Sequence, residues 1–316
     1  MKAWLIILLS ILTLATFGQA PAIGIKPRAA TASIDGKYQT ALGINTNIYV
    51  SNDYGNTWSA KESVRDFRRI GVNADGQYQN AVVANGYIYT SSDYGNTWAQ
   101  RGSSRNWRAI AINASGQYQS AGVYGGYIYI SSDYGNTWTQ SGHSANWIVM
   151  TMSATGQYQT AVPYGSYIYI SSDYGNTWTP KESFRNWQTV SMSADGQYQS
   201  AAVYNGQIYI SSDYGNTWTP KESIRDWTMM SISANGQYQS AVGAYDSIRV
   251  SSDYGNTWSA KGSSQYWLGI ALSASGQYQT GVVYGGQIYI SSDYGNTWTP
   301  KESIRDWRAI FINRKQ

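Results

Sequence analysis

The sequence predicts an all-β fold, a seven-bladed β-propeller of four-stranded antiparallel blades, and three observations predict it. The octapeptide Ser-Ser-Asp-Tyr-Gly-Asn-Thr-Trp recurs seven times at an unvarying 40-residue spacing, with Asn52 as the one change in the first copy. A fixed period of that size marks one supersecondary unit that is copied and stacked. Within each period, short alternating β-type runs are separated by glycine turns, and no run has helical periodicity. The composition agrees, with 29 Tyr, 14 Trp and 32 Gly in 316 residues. Aromatic side chains suit pleated surfaces and glycines suit tight turns.

Residues 1–20 stand apart from the repeat. Lys2 supplies a positive charge, Trp4 to Phe17 is apolar, and Gly18-Gln19-Ala20 places small residues where a signal peptidase reads. This reads as a secretory signal, with an uncleaved N-terminal anchor as the alternative. After cleavage no apolar run is long enough to span a bilayer. The expected domains are therefore the signal over 1–20, the propeller over 21–313 and a short tail over 314–316, in a secreted, periplasmic or extracellular protein.

The copy from Trp107 to Asn146 shows how each unit is built. Trp107 to Asn113 alternates as a first strand and ends at Ala114-Ser115-Gly116. Gln117 to Tyr124 is a second strand, and Gly125-Gly126 suits a tight hairpin. Tyr127 to Ser131 is the third, followed by the octapeptide and a short fourth strand around Thr137-Trp138-Thr139. Such a sheet buries its faces only by stacking on neighbours. The first-strand pattern occurs eight times, from a degraded copy at Pro27 to a well-formed one over 307–313. The C-terminal copy is expected to close the ring beside Lys37 to Thr57, the alternative being that Ala29 to Ile34 fills that position.

Charge and cysteine content exclude several functions. There are 22 Lys plus Arg against 18 Asp plus Glu, only 13% of residues are charged, and cysteine is absent. A nucleic-acid footprint needs a denser basic patch, and no disulfide framework is possible. His143 is the sole histidine, which excludes a catalytic triad or a histidine metal cluster.

The octapeptide fits the pattern Ser/Thr-x-Asp-x-Gly-x-Thr-Trp, as in Ser131, Asp133, Gly135, Thr137 and Trp138. The chain thus resembles the Asp-box (BNR-repeat) propellers over residues 31–313. That group includes sialidases, sortilin-type receptor propellers, xyloglucan-degrading glycosidases and photosystem II assembly propellers. The resemblance implies that the box is a structural turn. Its members here are Asp53, Asp93, Asp133, Asp173, Asp213, Asp253 and Asp293, with Trp58, Trp98, Trp138, Trp178, Trp218, Trp258 and Trp298. Each box carries one acidic residue, whereas calcium wants several oxygen ligands, so no metal site and no cofactor are expected.

A sialidase draws three arginines, a tyrosine nucleophile and acids from dissimilar positions. Here nearly every polar residue has counterparts in other copies. Phe67-Arg68-Arg69-Ile70 is faintly similar to the sialidase Phe-Arg-Ile-Pro motif but lacks the proline, and it falls in first-strand register. Two carboxylates set across a cleft, as glycoside hydrolysis needs, are not evident. Asp246 is the one acidic residue without counterparts, and no catalytic residue is expected.

Strand parity places the octapeptides on one face of the ring and the 2–3 turns and inter-unit connections on the other, where binding is expected. The candidate ligand residues there are Arg65, Arg105, Arg185, Arg225 and Arg305, with Tyr124, Tyr164, Tyr204 and Tyr284. The arginines could hold an anionic group or simply pair with Glu62, Glu182, Glu222 and Glu302 to order each loop. Tyr118 and Tyr129 are expected mid-strand in the core. The resulting expectation is a non-catalytic, lectin-like protein binding a glycan or surface polysaccharide multivalently. The alternative is a protein-binding scaffold or assembly factor, and a third reading is a sialidase-like glycoside hydrolase.

Overall fold

The computed structural model describes residues 27–301, apart from 44 and 55. The first sheet holds β1 (Pro27–Ala32), β2 (Gln39–Gly43), β3 (Thr46–Ser51) and β4 (Ser59–Arg65). The second holds β5 (Phe67–Val72), β6 (Gln79–Val83), β7 (Gly86–Ser91) and β8 (Ala99–Arg105). Next come β9 (Trp107–Ile112), β10 (Gln119–Ser131), β11 (Thr139–Met152), β12 (Gln159–Pro163), β13 (Ser166–Ser171) and β14 (Thr179–Arg185), joined as one sheet. The last three are β15 (Trp187–Met192), β16 (Gln199–Val203), β17 (Ile208–Ser211) and β18 (Thr219–Pro220); β19 (Trp227–Ile232), β20 (Gln239–Gly243), β21 (Asp246–Ser251) and β22 (Ser259–Gln265); and β23 (Trp267–Leu272), β24 (Gln279–Val283), β25 (Ile288–Ser291) and β26 (Thr299–Lys301).

The expected seven blades are therefore corrected to six sheets, five of four strands and one of six. The third and fourth copies share a sheet. β10 takes in the second and third strands of the third copy together with Gly125-Gly126, and β11 takes in its fourth strand and the first strand of the next copy. Elsewhere the chain breaks at Asp66, Asn106 and Asn186, but it pairs through Asn146, which faces Tyr124. All strand pairs are antiparallel, with one register shift near the start of each first strand, as between Trp187 and Thr189 opposite β16.

Ring closure also differs from expectation. β1 pairs with β2 over Pro27 to Ala32, so an N-terminal strand holds the innermost position of the first sheet. Residues 307–313, the signal over 1–20 and the tail lie outside the described residues.

The core lies between successive sheets, because each four-stranded sheet has two apolar faces to cover. One ring from each first strand after β1 fills that space. Phe67, Trp107, Trp147, Trp187, Trp227 and Trp267 are fully buried, beside aliphatic residues such as Ile168, Val190 and Ala201. Tyr129 lies in the core with its ring edge-on to Trp107. Tyr118 is not mid-strand; it precedes β10 and packs on Tyr174 of the following octapeptide at 4.5 Å between ring centroids.

Two polar chains cross the joints between copies. The backbone N–H of Ile34 donates to Ala74 O, Ala74 to Ala114, Ala114 to Ala154, Ala154 to Ala194, Ala194 to Ala234 and Ala234 to Ala274, at 2.6–3.1 Å. Beside it, a buried glutamine at the head of each second strand donates to its own turn, as Gln199 Nε2 does to Gly196 O at 3.0 Å. Its Oε1 accepts from the copy before, as from Thr160 Oγ1 at 2.6 Å. Paired in this way, buried polar groups fix the stacking register while their hydrogen bonds offset the cost of desolvation.

Candidate functional site

The two ends of the molecule differ, and hydrogen bonds define them. At one end each octapeptide is tied to the turn after a first strand, as Tyr134 N–H donates to Gln117 O at 3.2 Å. At the other, each turn after a second strand is tied to an inter-unit connection, as Tyr124 N–H donates to Asn106 O at 2.8 Å.

The octapeptide end is a closed hydrogen-bonded device. Asp133 accepts from Thr137 N–H at 2.9 Å, Thr137 Oγ1 at 2.7 Å and Ser131 Oγ at 2.8 Å. Burial alone would raise its pKa, but these donors favour the ionised form and hold it below the ordinary value of 3.8. Trp138 Nε1 donates to Gly135 O at 3.0 Å. The tryptophans are mostly half-buried rather than fully packed, Trp218 being the buried one. Among the described residues no group of three or more His, Cys, Asp or Glu is placed to hold a metal ion.

Sequence reasoning gave Gly135 the left-handed backbone, and its φ is 81°. It missed that Tyr134 is left-handed as well, at φ 61°. Such a backbone is strained in a tyrosine, and it is held by the ring of Tyr78 in the preceding copy, 4.5 Å between centroids. The signal was available: this tyrosine is present in all seven copies.

At the opposite end the predicted arginines are largely spoken for. Arg65 pairs with Glu62 at 3.8 Å, Arg185 with Glu182 at 3.6 Å and Arg225 with Glu222 at 3.5 Å. The guanidiniums of Arg65, Arg105 and Arg185 lie over Tyr89, Tyr129 and Tyr209 at 4.7–4.8 Å from the ring centroids. Arg105 has Gly102 where other copies have a glutamate, so it lacks that ion pair. Arg305 lies outside the described residues. In the third copy Ala145 stands at the arginine position; His143 in the same segment packs against Tyr169 and Trp147, with centroids at 4.3 and 5.3 Å. Burial there lowers its pKa from 6.5.

Asp246 belongs to a charge network that sequence reasoning did not assemble. Arg225 Nη1 lies 2.9 Å from Asp246 Oδ2, and Arg249 reaches Asp246 at 3.5 Å and Glu222 at 4.0 Å. Arg249 stands where other copies have a core tyrosine such as Tyr209, and that departure was the available signal.

The predicted tyrosines Tyr124, Tyr164, Tyr204 and Tyr284 are all exposed at this end. Larger apolar groups that sequence reasoning missed accompany them. Val64 and Phe184 stand near the ends of the outermost strands β4 and β14, and Ile224 in the connection after β18, Phe184 at 64% and Ile224 at 72% exposure. Tyr245, at 79% exposure, meets Tyr266 edge-on at 5.0 Å, and Tyr266 in turn lies 5.6 Å from Tyr284. Apart from Tyr134 and Tyr294 on the octapeptides and Met229 on an innermost strand, the exposed large hydrophobics among the described residues all lie at this end. Loops on a rigid scaffold with clustered apolar groups are suited to holding a partner.

No family model matches the chain, and no curated protein matches it. Many solved structures share its fold. YCF48 from Cyanidioschyzon merolae superposes with a TM-score of 0.64 at 12% identity, over 86% of this chain and 94% of that one. A structure titled YCF48 bound to D1 peptide gives 0.59 at 15% identity, over 74% and 82%. The Cps50 (Swd1) β-propeller domain of Myceliophteria thermophila gives 0.63 at 13% identity, over 80% and 91%. At these identities the likeness carries the fold, and the chain is an all-β propeller.

Proposed function

We propose that the protein is a non-catalytic propeller scaffold that binds a peptide or protein segment on the end opposite the octapeptides. The observation that carries this reading is the one-sided placement of Phe184, Ile224, Val64 and Tyr245, all exposed at the end opposite the octapeptides. Aromatic and aliphatic anchors of this kind supply binding energy when a partner desolvates them. A structure of the same fold titled as bound to a peptide supports the reading, since the scaffold accommodates such a ligand. The seven octapeptides support a place among the Asp-box propellers, and the apolar segment over 4–17 supports export of the chain.

The glycan reading draws on the exposed tyrosines Tyr124, Tyr164, Tyr204 and Tyr284 and on the arginines, most of which are paired or stacked, and no similar structure supports it. The apolar anchors favour a peptide, because Phe184 and Ile224 offer a sugar no hydrogen bonds.

A random-peptide display library panned against residues 21–316 tests the proposal. Recovered peptides should lose about tenfold or more in affinity on Phe184→Glu with Ile224→Glu. They should be unaffected by Ala114→Glu, an exposed change at the octapeptide end. Failure to recover any peptide, peptides lost only with Ala114→Glu, or displacement by soluble polysaccharide would overturn it.

A further inference from the structure

The innermost strands line the propeller axis, and their charge is uneven. β5 carries Arg68 and Arg69, and β9 carries Arg108. The positions equivalent to Arg68 in β15, β19 and β23 hold Gln188, Thr228 and Leu268, and those equivalent to Arg69 hold Thr189, Met229 and Gly269. The arginines therefore gather on one side of the axis and face no matching charge from those strands.

Their partners do not balance them. Arg68 makes a short ion pair with Asp66. Arg108 donates from Nε to Asn106 Oδ1 at 3.3 Å and lies 5.4 Å from the ring centroid of Tyr124. Arg69 has neither a hydrogen bond nor an ion pair among the described residues. Its side chain is exposed to solvent, yet protein crowds it closely enough that burial, followed by repulsion from Arg108, lowers its pKa. Met229, its counterpart on β19, is exposed as well, so this position of the innermost strands reaches solvent. Of the three guanidiniums, only that of Arg68 forms an ion pair with a carboxylate.

We propose that Arg69 and Arg108 form an anion seat for an acidic peptide segment, with Arg108 beside Tyr124 and Arg69 on the neighbouring strand β5. The inference rests on the peptide-binding reading above and gives that partner its charge. A guanidinium forks onto a carboxylate through two parallel N–H···O bonds, and a partly desolvated setting strengthens them. Arg68, already neutralised by Asp66, adds field rather than a free fork. Tyr124 stands beside Arg108 as an exposed ring against which the aliphatic stem of a bound glutamate packs. A nucleic acid would need a longer basic track than these few residues give.

Fluorescence anisotropy on residues 21–316 with a labelled octapeptide of alternating Glu and Ala tests the inference, with the Gln-and-Ala counterpart beside it. The Glu peptide should bind and the Gln peptide should not. The double change Arg69→Gln with Arg108→Gln should weaken binding about tenfold or more, and raising salt from about 50 to about 500 mM should weaken the parent but not the double variant. Arg101→Gln, whose guanidinium bonds to Asn136 Oδ1 at the octapeptide end at 3.2 Å, should leave affinity unchanged. If loss of Arg69 prevents folding, as a melting curve would show, Arg108→Gln alone carries the readout with about threefold loss or more. Equal binding of the two peptides, or parent-like binding by the arginine variants, overturns the inference. Display-selected peptides that lack acidic residues and still depend on Phe184 and Ile224 would overturn the anion seat and leave the broader scaffold reading standing.

Discussion

Thr160 Oγ1 donates to Gln199 Oε1 at 2.6 Å across the joint between two successive 40-residue copies, and both residues are buried. The same step recurs from Thr40 to Gln79, Asn80 to Gln119, Ser120 to Gln159, Ser200 to Gln239 and Ser240 to Gln279. Among the described residues the ladder has two unmade ends, Gln39 Oε1 and Thr280 Oγ1, each buried without a hydrogen-bond partner. Removing a satisfied buried hydroxyl leaves its acceptor stranded, whereas removing an unsatisfied one relieves a cost. Thr160→Val should therefore destabilise by about 1–3 kcal/mol, and Thr280→Val should be neutral or stabilising. Urea denaturation of the two variants checks this. An equal loss would mean that Thr280 reaches Gln39 in solution and the ladder closes on itself.

The innermost tryptophans, and not those of the octapeptides, dominate the core. Trp187 is fully buried, while Trp178 is half-buried and keeps an indole hydrogen bond to Gly175 O at 2.9 Å. Truncating a fully buried tryptophan costs the transfer term and leaves a cavity, so Trp187→Ala should lose about 3–5 kcal/mol. Trp178→Ala should lose clearly less, because less area leaves water. Denaturant midpoints for the pair decide the order, and a larger loss at Trp178 would show that the octapeptide rings organise the sheets.

Acid should unfold the protein through its octapeptides. Although burial pushes the other way, hydrogen bonds from Thr177 and Ser171 hold Asp173 below the ordinary 3.8, and Asp133, Asp213 and Asp253 are held likewise. A carboxylate whose folded pKa is depressed contributes stability that is fully present above its unfolded value. That contribution is lost as pH falls below 3.8 and through the folded value. Stability should thus be flat in this respect above about pH 5 and fall steeply below about pH 4. Asp173→Asn should reduce the slope of stability against pH in that acid window. An unchanged slope would place the acid sensitivity elsewhere.

Much of this was legible because the repeat is nearly exact. Periodicity gave the order of strands within a copy, the propeller architecture and the two unlike ends, but not the fourth strands, which start after the octapeptide Trp and run through the expected connections, as Thr179–Arg185 does. The sheet count was not legible, because it turns on whether pairing continues through Asn146 or breaks as at Asn106, and both are asparagines. The arginine set was visible as a pattern, but its state was not. Pairing of Arg185 with Glu182 and stacking on Tyr209 depend on loop geometry that composition does not encode. Arg69 and Arg108 read only as first-strand register, because nothing in a linear pattern says that two innermost strands bring their side chains together. Phe184 and Ile224 were passed over because a lone apolar residue between the octapeptide and the next first strand carries no periodic signal.

Glu182 has a left-handed backbone, φ 56°, where Gly102, Gly142 and Gly262 stand at 65–68° in other copies. Glutamate accepts that strain while its carboxylate reaches Arg185 at 3.6 Å, a solvent-screened pair whose worth is about 0–1 kcal/mol. Replacement by alanine removes the pair and keeps the strain. Replacement by glycine removes both, since glycine adopts positive φ without a Cβ clash. Glu182→Gly should therefore be more stable than Glu182→Ala by about 1 kcal/mol, the reverse of the usual order of the two residues. Thermal melting of both variants, with the parent alongside, measures the difference. If alanine proves equal or better, the connection relaxes out of the left-handed region once the carboxylate is gone, and the ion pair, rather than the backbone, sets its shape.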